Sequence, residues 1–290
     1  MNLTPAEITL INSKNEVRLE LYKYLALHYA YPFSQGTILI QELIDYVKFV
    51  LQYFANHLNA IWQDYYNDYL ATPCTKIKSI VNNPQMKIKI DSLKEFSLTA
   101  VRDERGYHQD KSGNITPAAL NGAHHVDFMI GTNSLGGIHN HTLNGDHIFS
   151  PRDILTFLSF ARVQNQTLPI GSTADHTGNA FLGMIAQSAS YFITFNGGSA
   201  DLLPPMTDAE EFAFELEMNK AFKKILKLQL KAEGKDSWDN LSDEGLQKLF
   251  FDLIKEMGFE GKINLIQQKG ANTSTIQQNP DGTIKDSIPC

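Results

Sequence analysis

Histidines are concentrated in one short segment of this sequence. Five of the nine histidines fall between residues 124 and 147, and two of them, His139 and His141, are separated by one residue in the run GGIHNH. Side chains two positions apart in an extended strand project from the same side, so both imidazoles can reach one cation. The spacing therefore predicts two nitrogen ligands for a metal ion.

A third ligand is predicted at the start of the following helix. Ser150 and Pro151 are typical of the N-cap and first position of a helix, which puts Asp153 at the third position, pointing back toward the loop. Zinc held by two histidines and one carboxylate keeps a fourth position open for water, as catalytic sites do. Such water has a pKa near neutrality, and a nearby carboxylate can move its proton to a leaving amine.

The order H-x-H, short loop, S-x-x-D resembles the motif of the JAMM (JAB/MPN) metallopeptidases. The resemblance implies that His139, His141 and Asp153 bind Zn²⁺ and that Ser150 supports the oxyanion or the water. It also implies a zinc-dependent hydrolase of peptide or isopeptide bonds, acting on a protein or peptide substrate.

In that family a glutamate on an upstream strand is the catalytic acid/base. Glu95, in the run KEFSLTAV, is the best match, because it begins a segment with strand-like alternation. Glu104 lies in RDERG, which is typical of a solvated turn. We therefore predict Glu95 as the general base.

Two features depart from the family pattern. Thr142 replaces the usual proline, and eight residues rather than seven separate His141 from Ser150. A catalytically inactive JAMM-like binding or assembly module is accordingly an alternative.

A second alternative is an HNH-like metal nuclease, suggested by Asp146 and His147 with Asn165 and His176 as later members. The helix predicted after His147 disfavours it, because a ββα nuclease needs a hairpin there. His147 is expected to be a loop residue, and the Asp175-His176 pair to belong to a turn. Of His124 and His125, one is expected to face the site.

The elements around the motif predict an α+β (mixed α/β) fold. Strands are predicted from residue 87, across 115–131, at the HxH run and in a hairpin at 180–196, with a helix after Ser150. The resemblance implies a JAMM/cytidine-deaminase-like sheet core over residues 76–200. Residues 201–290 predict helices capped at Thr207 and Ser242, then a strand KINLIQQ and a polar tail.

Residues 1–75 form a predicted helical region with aromatic side chains at three- and four-residue spacing. Such a stripe is typical of packing, either against the rest of the chain or against a protein partner. The most apolar stretch, residues 38–55, contains three charged residues and therefore predicts a soluble helix and no membrane span.

Composition excludes several other classes. The net charge of −7 disfavours nucleic acid as a partner, and two cysteines are too few for a disulfide scaffold or a four-thiolate zinc site. No signal peptide is visible. The flanks CTKIKSIVNN and SIPC resemble those of JAB-like domains at the C-termini of bacterial surface or exported proteins. The expected location is the cytoplasm, or export as an effector or surface-protein domain.

Overall fold

The computed structural model describes residues 72–99, 103–120, 125–142, 147–167, 175–186 and 189–290, with five isolated positions nearer the N-terminus. The chain separates into two compact units, Met1–Thr72 and Pro73–Cys290. In the first unit, Leu51 and Phe54 are helical and buried. Most of the aromatic helices predicted for this region lie outside the described residues.

The second unit is built on an eight-stranded sheet, with a separate two-stranded sheet formed by β3 and β4. The large sheet has the order β10-β9-β8-β7-β6-β5-β1-β2; β5 and β6 are parallel, and its other neighbouring pairs are antiparallel. The strands are β1 (Gly106–Asp110), β2 (Ile115–Pro117), β3 (Ala119–Leu120), β4 (Val126–Asp127), β5 (Ser134–Asn140), β6 (Phe181–Ile185), β7 (Ser190–Phe195), β8 (Ile263–Lys269), β9 (Asn272–Ile276) and β10 (Ile288–Pro289).

The helices of this unit begin at residues that favour helix starts. They are α1 (Pro73–Asn82), α2 (Pro84–Ser97), α3 (Pro151–Val163), α4 (Asp208–Glu233) and α5 (Asp243–Glu256). The predicted caps are confirmed: Ser150, Thr207 and Ser242 each accept a main-chain N–H from the first turn. Gly258 follows α5 with φ +85°, a left-handed conformation that favours glycine and ends the helix. The mixture of helix and strand confirms the α+β fold class.

The strand predicted from residue 87 is wrong, because the segment forms helix α2. Asn83 caps this helix by accepting from the N–H groups of Gln85 and Met86. Its buried positions, Met86, Ile90 and Leu93, follow helical spacing. The local alternation KIKI suggested a strand, but the longer period and the Asn-Pro cap determine the structure. The predicted polar tail also differs, since it contributes β9 and β10 to the sheet.

Helices cover both faces of the sheet. One face carries α1 and α2 against Ile138, Phe181, Phe192 and Ile266. The opposite face carries α3, α4 and α5 over a larger apolar cluster that draws on β6, β7, β8 and β9. Residues on both sides of position 200 thus contribute to one sheet and one core. Among the described helices, none has the length and apolar character needed to cross a membrane.

One disulfide joins the two ends of this unit. Cys74, in α1, is bonded to Cys290, and their Cα atoms are 5.5 Å apart. The Lys78 ammonium also donates to the Cys290 main-chain oxygen at 3.0 Å. These contacts fix the last residues to α1.

Candidate metal centre

The two predicted histidine ligands lie at the carboxyl end of β5. Ile138 is buried in the core under α1 and α2, so strand alternation sends His139 and His141 toward α3. The His141 N–H donates to the Ile185 main-chain oxygen at 3.1 Å, which extends the parallel pairing with β6 by one residue. Both imidazoles are buried. The predicted arrangement of the H-x-H run is confirmed.

Asp153 reaches the histidines from the first turn of α3. The Ser150 hydroxyl accepts the Asp153 N–H at 3.2 Å, and the Ser150 N–H and hydroxyl donate to Asp153 Oδ2 at 2.7 and 2.8 Å. This reciprocal cap fixes the carboxylate and leaves Oδ1 free of helix-capping hydrogen bonds. The cap at the start of α3 therefore also orients Asp153, the third candidate ligand, toward the two histidines.

The three candidate ligand groups converge on one point. The Nε2 atoms of His139 and His141 are 2.9 Å apart, and His139 Nε2 is 3.1 Å from Asp153 Oδ1. His141 Nε2 is 3.4 Å from Asp153 Oδ2. Two imidazole nitrogens this close share either a proton or a cation. Tetrahedral zinc with bonds of 2.0–2.1 Å separates its ligand atoms by about 3.3 Å, so the donor set fits such an ion. This buried group can hold a metal ion.

The polar neighbours of His139 and Asp153 lie on the side of the candidate metal position. His139 Nδ1 is buried without a hydrogen-bond partner among the described residues, so Nε2 is the ring nitrogen with polar neighbours. Burial alone would raise the pKa of Asp153, but the charge and hydrogen bonds of the two imidazoles outweigh it and hold that pKa well below its usual range. The carboxylate is thus ionised, as a metal ligand must be.

Glu104 also reaches this site, although its sequence indicated an exposed turn. Gly106 of β1 lies opposite His139 in the antiparallel pair with β5, and the Asn140 N–H donates to the Arg105 main-chain oxygen at 3.0 Å. Continuing that register places Glu104 opposite His141, and residues opposite each other share a face of the sheet. The Glu104 side chain is 7% exposed. Within the described part of the chain, no hydrogen bond or ion pair engages its carboxylate.

Asn140 holds Glu104 in place. This fully buried residue accepts the Arg105 N–H on its side-chain Oδ1 at 2.7 Å, next to the main-chain bond already described. Sequence reasoning missed the role of Asn140, since it treated the residue between the two histidines as a spacer. The available signal was a polar residue at a buried strand position, since such a side chain needs a hydrogen-bond partner.

Glu95 is not brought to the metal centre. It is exposed on α2, and it does not line the cavity in which the ligands lie. The reason for preferring it, an upstream strand position, is wrong. Glu104 instead precedes the strand that pairs with β5.

The ligands line a cavity of about 370 Å³. Its wall includes Glu104, Ser150, residues at the end of the β3–β4 hairpin, and two parts of the chain that sequence reasoning did not assign to the site, α4 and Trp238. From the hairpin, Phe128 packs edge-on against the His139 ring with centroids 6.2 Å apart. His125, one of two neighbouring histidines of which one was expected to face the site, also lines the cavity.

The other candidate polar residues lie elsewhere or outside the described residues. Asn165 and Asp175 belong to a hydrogen-bonded loop, where Asn165 Oδ1 accepts the His176 N–H at 2.7 Å. Neither Asn165, His176 nor His147 lines the cavity. Helix α3 follows His147, as the argument against a ββα nuclease requires. His124 and Asp146 are outside the described residues.

Comparisons with known proteins give no family for this chain. No protein-family model matches it, and neither the curated proteins nor the solved structures contain a significant match. The residues of the site and their geometry are therefore the basis for assigning a function.

Proposed function

We propose that this protein is a zinc-dependent hydrolase of peptide or isopeptide bonds with a JAMM-like core. The observation that carries the proposal is the convergence of His139 Nε2, His141 Nε2 and the Asp153 carboxylate, at 2.9 to 3.4 Å from one another, in a cavity shared with the buried carboxylate of Glu104. Two imidazoles and one carboxylate are a ligand set found in catalytic zinc sites, and they leave a ligand position for water.

The metal, when bound, supplies Lewis-acid polarisation of a carbonyl oxygen and a water that ionises near neutral pH. His139, His141 and Asp153 would hold it. The cap made by Ser150 keeps Asp153 oriented, and Phe128 limits rotation of the His139 ring. Positioned ligands of this kind reduce the rearrangement needed during the reaction.

Glu104 is the proposed general base and acid. It faces the ligands across the β1–β5 pair, and no positive partner among the described residues occupies its carboxylate. It can therefore accept a proton from water and return it to the leaving amine. Ser150 lines the same cavity. Its N–H and hydroxyl both donate to Asp153 Oδ2, so its proposed role is to hold that ligand in place. Support of the oxyanion, the role that the resemblance implies, would require one of these two hydrogen bonds to be released.

Two locations were expected, the cytoplasm and export, and the disulfide supports export. Structural disulfides persist in oxidising compartments and are rare in a reducing cytosol. Cys74 and Cys290 are the two cysteines of the sequence, and both are in the bond.

The test compares two glutamate variants of the full chain. Glu104→Gln should retain stoichiometric zinc and lose about 10²–10⁴-fold in kcat, the usual contribution of a general base. Glu95→Gln should match the wild type, since Glu95 is exposed on α2. Zinc is measured by inductively coupled plasma mass spectrometry, and turnover with a quenched-fluorescence peptide mixture and an isopeptide-linked substrate.

Three results would reject parts of the proposal. A wild-type chain that takes up no zinc has no metal centre. Zinc uptake without turnover of any substrate identifies the non-catalytic binding module. Loss of activity in Glu95→Gln but not in Glu104→Gln would support Glu95, the general base predicted from the sequence.

A further inference from the structure

Three neighbouring cavities that share lining residues follow one another along α4, and we refer to them together as the cleft. The cavity that holds the metal ligands shares Val126, Phe128, Arg152, Thr156 and Glu215 with a cavity of about 520 Å³ toward the start of α4. In the other direction it shares Asn219 and Trp238 with a cavity of about 360 Å³. The candidate metal centre thus opens on the middle of a long cleft.

The part of the cleft near the start of α4 is acidic. It is lined by one basic residue, Arg152, and by four acidic residues: Asp127, Asp208, Glu211 and Glu215. Arg152 is 3.5 Å from Asp127, whereas no ion pair engages the three acidic residues of α4 among the described residues. The buried Glu104 carboxylate, also without a partner there, faces the adjoining cavity. We call this part the acidic half.

The part beyond the metal centre is largely apolar. Its apolar surface comes from Phe222, Leu226, Leu230 and Trp238, and four polar residues also line it: Asn219, Lys223, Asp236 and Ser237. Phe222 is buried, while Leu226 and Leu230 are partly exposed toward the cavity. We call this part the apolar half. The two halves therefore offer different chemistry on either side of the reacting centre.

The length of the cleft suits an extended chain. The α4 residues that line it run from Asp208 to Leu230, which corresponds to about 33 Å at the rise of an α-helix. An extended polypeptide of about ten residues spans that distance. A chain of this length crosses both halves and places an internal bond near the ligands.

We propose that the cleft binds an extended polypeptide, with Lys or Arg side chains in the acidic half and an apolar side chain in the apolar half. This inference rests on the proposed hydrolase function and names its substrate class. Unpaired carboxylates in a cleft attract cations and repel anionic segments, so charge selects the substrate. About half of the residues that line the cleft come after position 200, and they include the acidic residues of α4 and the apolar residues of both α4 and the segment after it.

The test uses decapeptides with two lysines on one side of a central bond and two leucines on the other, in both chain orders. Matched peptides replace the lysines with glutamine or the leucines with serine. Binding is measured by fluorescence anisotropy with the zinc-loaded Glu104→Gln chain, in which turnover is expected to be slow, and KM is measured with the wild type. We expect lysine peptides in one of the two orders to bind at least about tenfold more tightly than their glutamine analogues, and the serine analogues to bind less tightly.

The protein variants locate that preference. Glu211→Gln with Glu215→Gln should remove most of the preference for the lysine peptide over its glutamine analogue. Glu217→Gln, on an exposed position of the same helix outside the cleft, is the matched control and should retain it. Zinc content and the circular dichroism spectrum establish that each variant is folded.

The outcomes separate this inference from the proposed function. Zinc-dependent turnover with equal affinity for lysine and glutamine peptides, or binding of no peptide at all, overturns the cleft inference. Selective, Glu211-dependent binding without turnover by the wild type leaves the cleft assignment intact and rejects the hydrolase.

Discussion

The two ends of the parallel β5–β6 pair carry one aspartate each, and the two carboxylates are used differently. Asp153 lies at the carboxyl end, where its oxygens face two imidazoles. Asp175 precedes β6 at the opposite end, where it accepts hydrogen bonds from Asn165, Thr177 and Ser199. Burial acts to raise the pKa of each, and the surrounding donors lower it further than burial raises it.

The two carboxylates differ in the groups that their oxygen atoms face. Asp175 is surrounded by amide and hydroxyl donors of the chain, and this fixes the loop before β6. Asp153 Oδ1 points at nitrogen atoms that can bind a cation instead of a proton. Ligand sites in sheets with parallel strands favour the carboxyl edge, because loops and helix starts converge there. The same residue type is therefore a candidate ligand at one edge and has a structural role at the other.

Asp153→Asn provides the strongest test of this contrast. It should lower zinc affinity at least about a hundredfold, since even the loss of a residue that only supports a ligand costs 10- to 100-fold. Competition with a chromophoric chelator measures the affinity. Asp175→Asn is the matched control and should bind zinc like the wild type. Equal zinc binding by both variants would contradict the assignment of Asp153 as a ligand.

The sequence predicted the metal side of the site because its determinants are local. His139, His141 and Asp153 fall within fifteen positions, and their directions follow from strand alternation and a helix cap. Glu104 depends instead on the pairing of β1 with β5, a contact between segments about thirty residues apart. No local pattern encodes that register, so Glu95 was chosen on strand propensity that α2 does not follow.

Similar reasoning applies to the fold. The capped helices α3, α4 and α5 and the β6–β7 hairpin were predicted from local signals. The order of the sheet strands and the placement of α4 along the cleft arise from long-range packing, which periodicity alone does not specify. The disulfide was missed for the same reason, because Cys74 and Cys290 are 216 positions apart.

Removing that disulfide should affect stability but not the metal centre. Helix α1 carries Cys74 and also contacts the loop region before β6, where Lys76 donates to Asn179 at 3.3 Å. Cys74→Ser should lower the free energy of unfolding by about 2–5 kcal/mol, measured by urea denaturation at neutral pH. The folded variant should still bind zinc through its three ligands.

A reductant provides the control for this variant. Dithiothreitol should shift the unfolding midpoint of the wild type toward that of Cys74→Ser and leave the variant unchanged. A wild-type midpoint that does not respond to the reductant would indicate that the bond is absent or contributes little.

Asp175→Asn should produce the smallest effect and the most specific dependence on pH. The pKa of Asp175 is lower in the folded chain than the value of about 3.9 for an unfolded aspartate, so the unfolded state binds more protons as the solution is acidified. The stabilisation is therefore fully present above about pH 4 and is lost as the pH falls toward the folded-state pKa. Because Asp175 is exposed and screened by solvent, its loss should cost only about 1 kcal/mol at pH 7.

The measurement is the difference in unfolding free energy between wild type and Asp175→Asn at pH 7, 5, 4 and 3. That difference should stay constant from pH 7 to 5 and shrink below about pH 4, and titrations elsewhere cancel because both chains share them. Asp286→Asn, at an exposed position, is the control and should show no such trend. A difference that does not change with pH would mean that the hydrogen-bonded loop does not stabilise the ionised carboxylate, and the contrast between the two edges of the sheet would then rest on Asp153 alone.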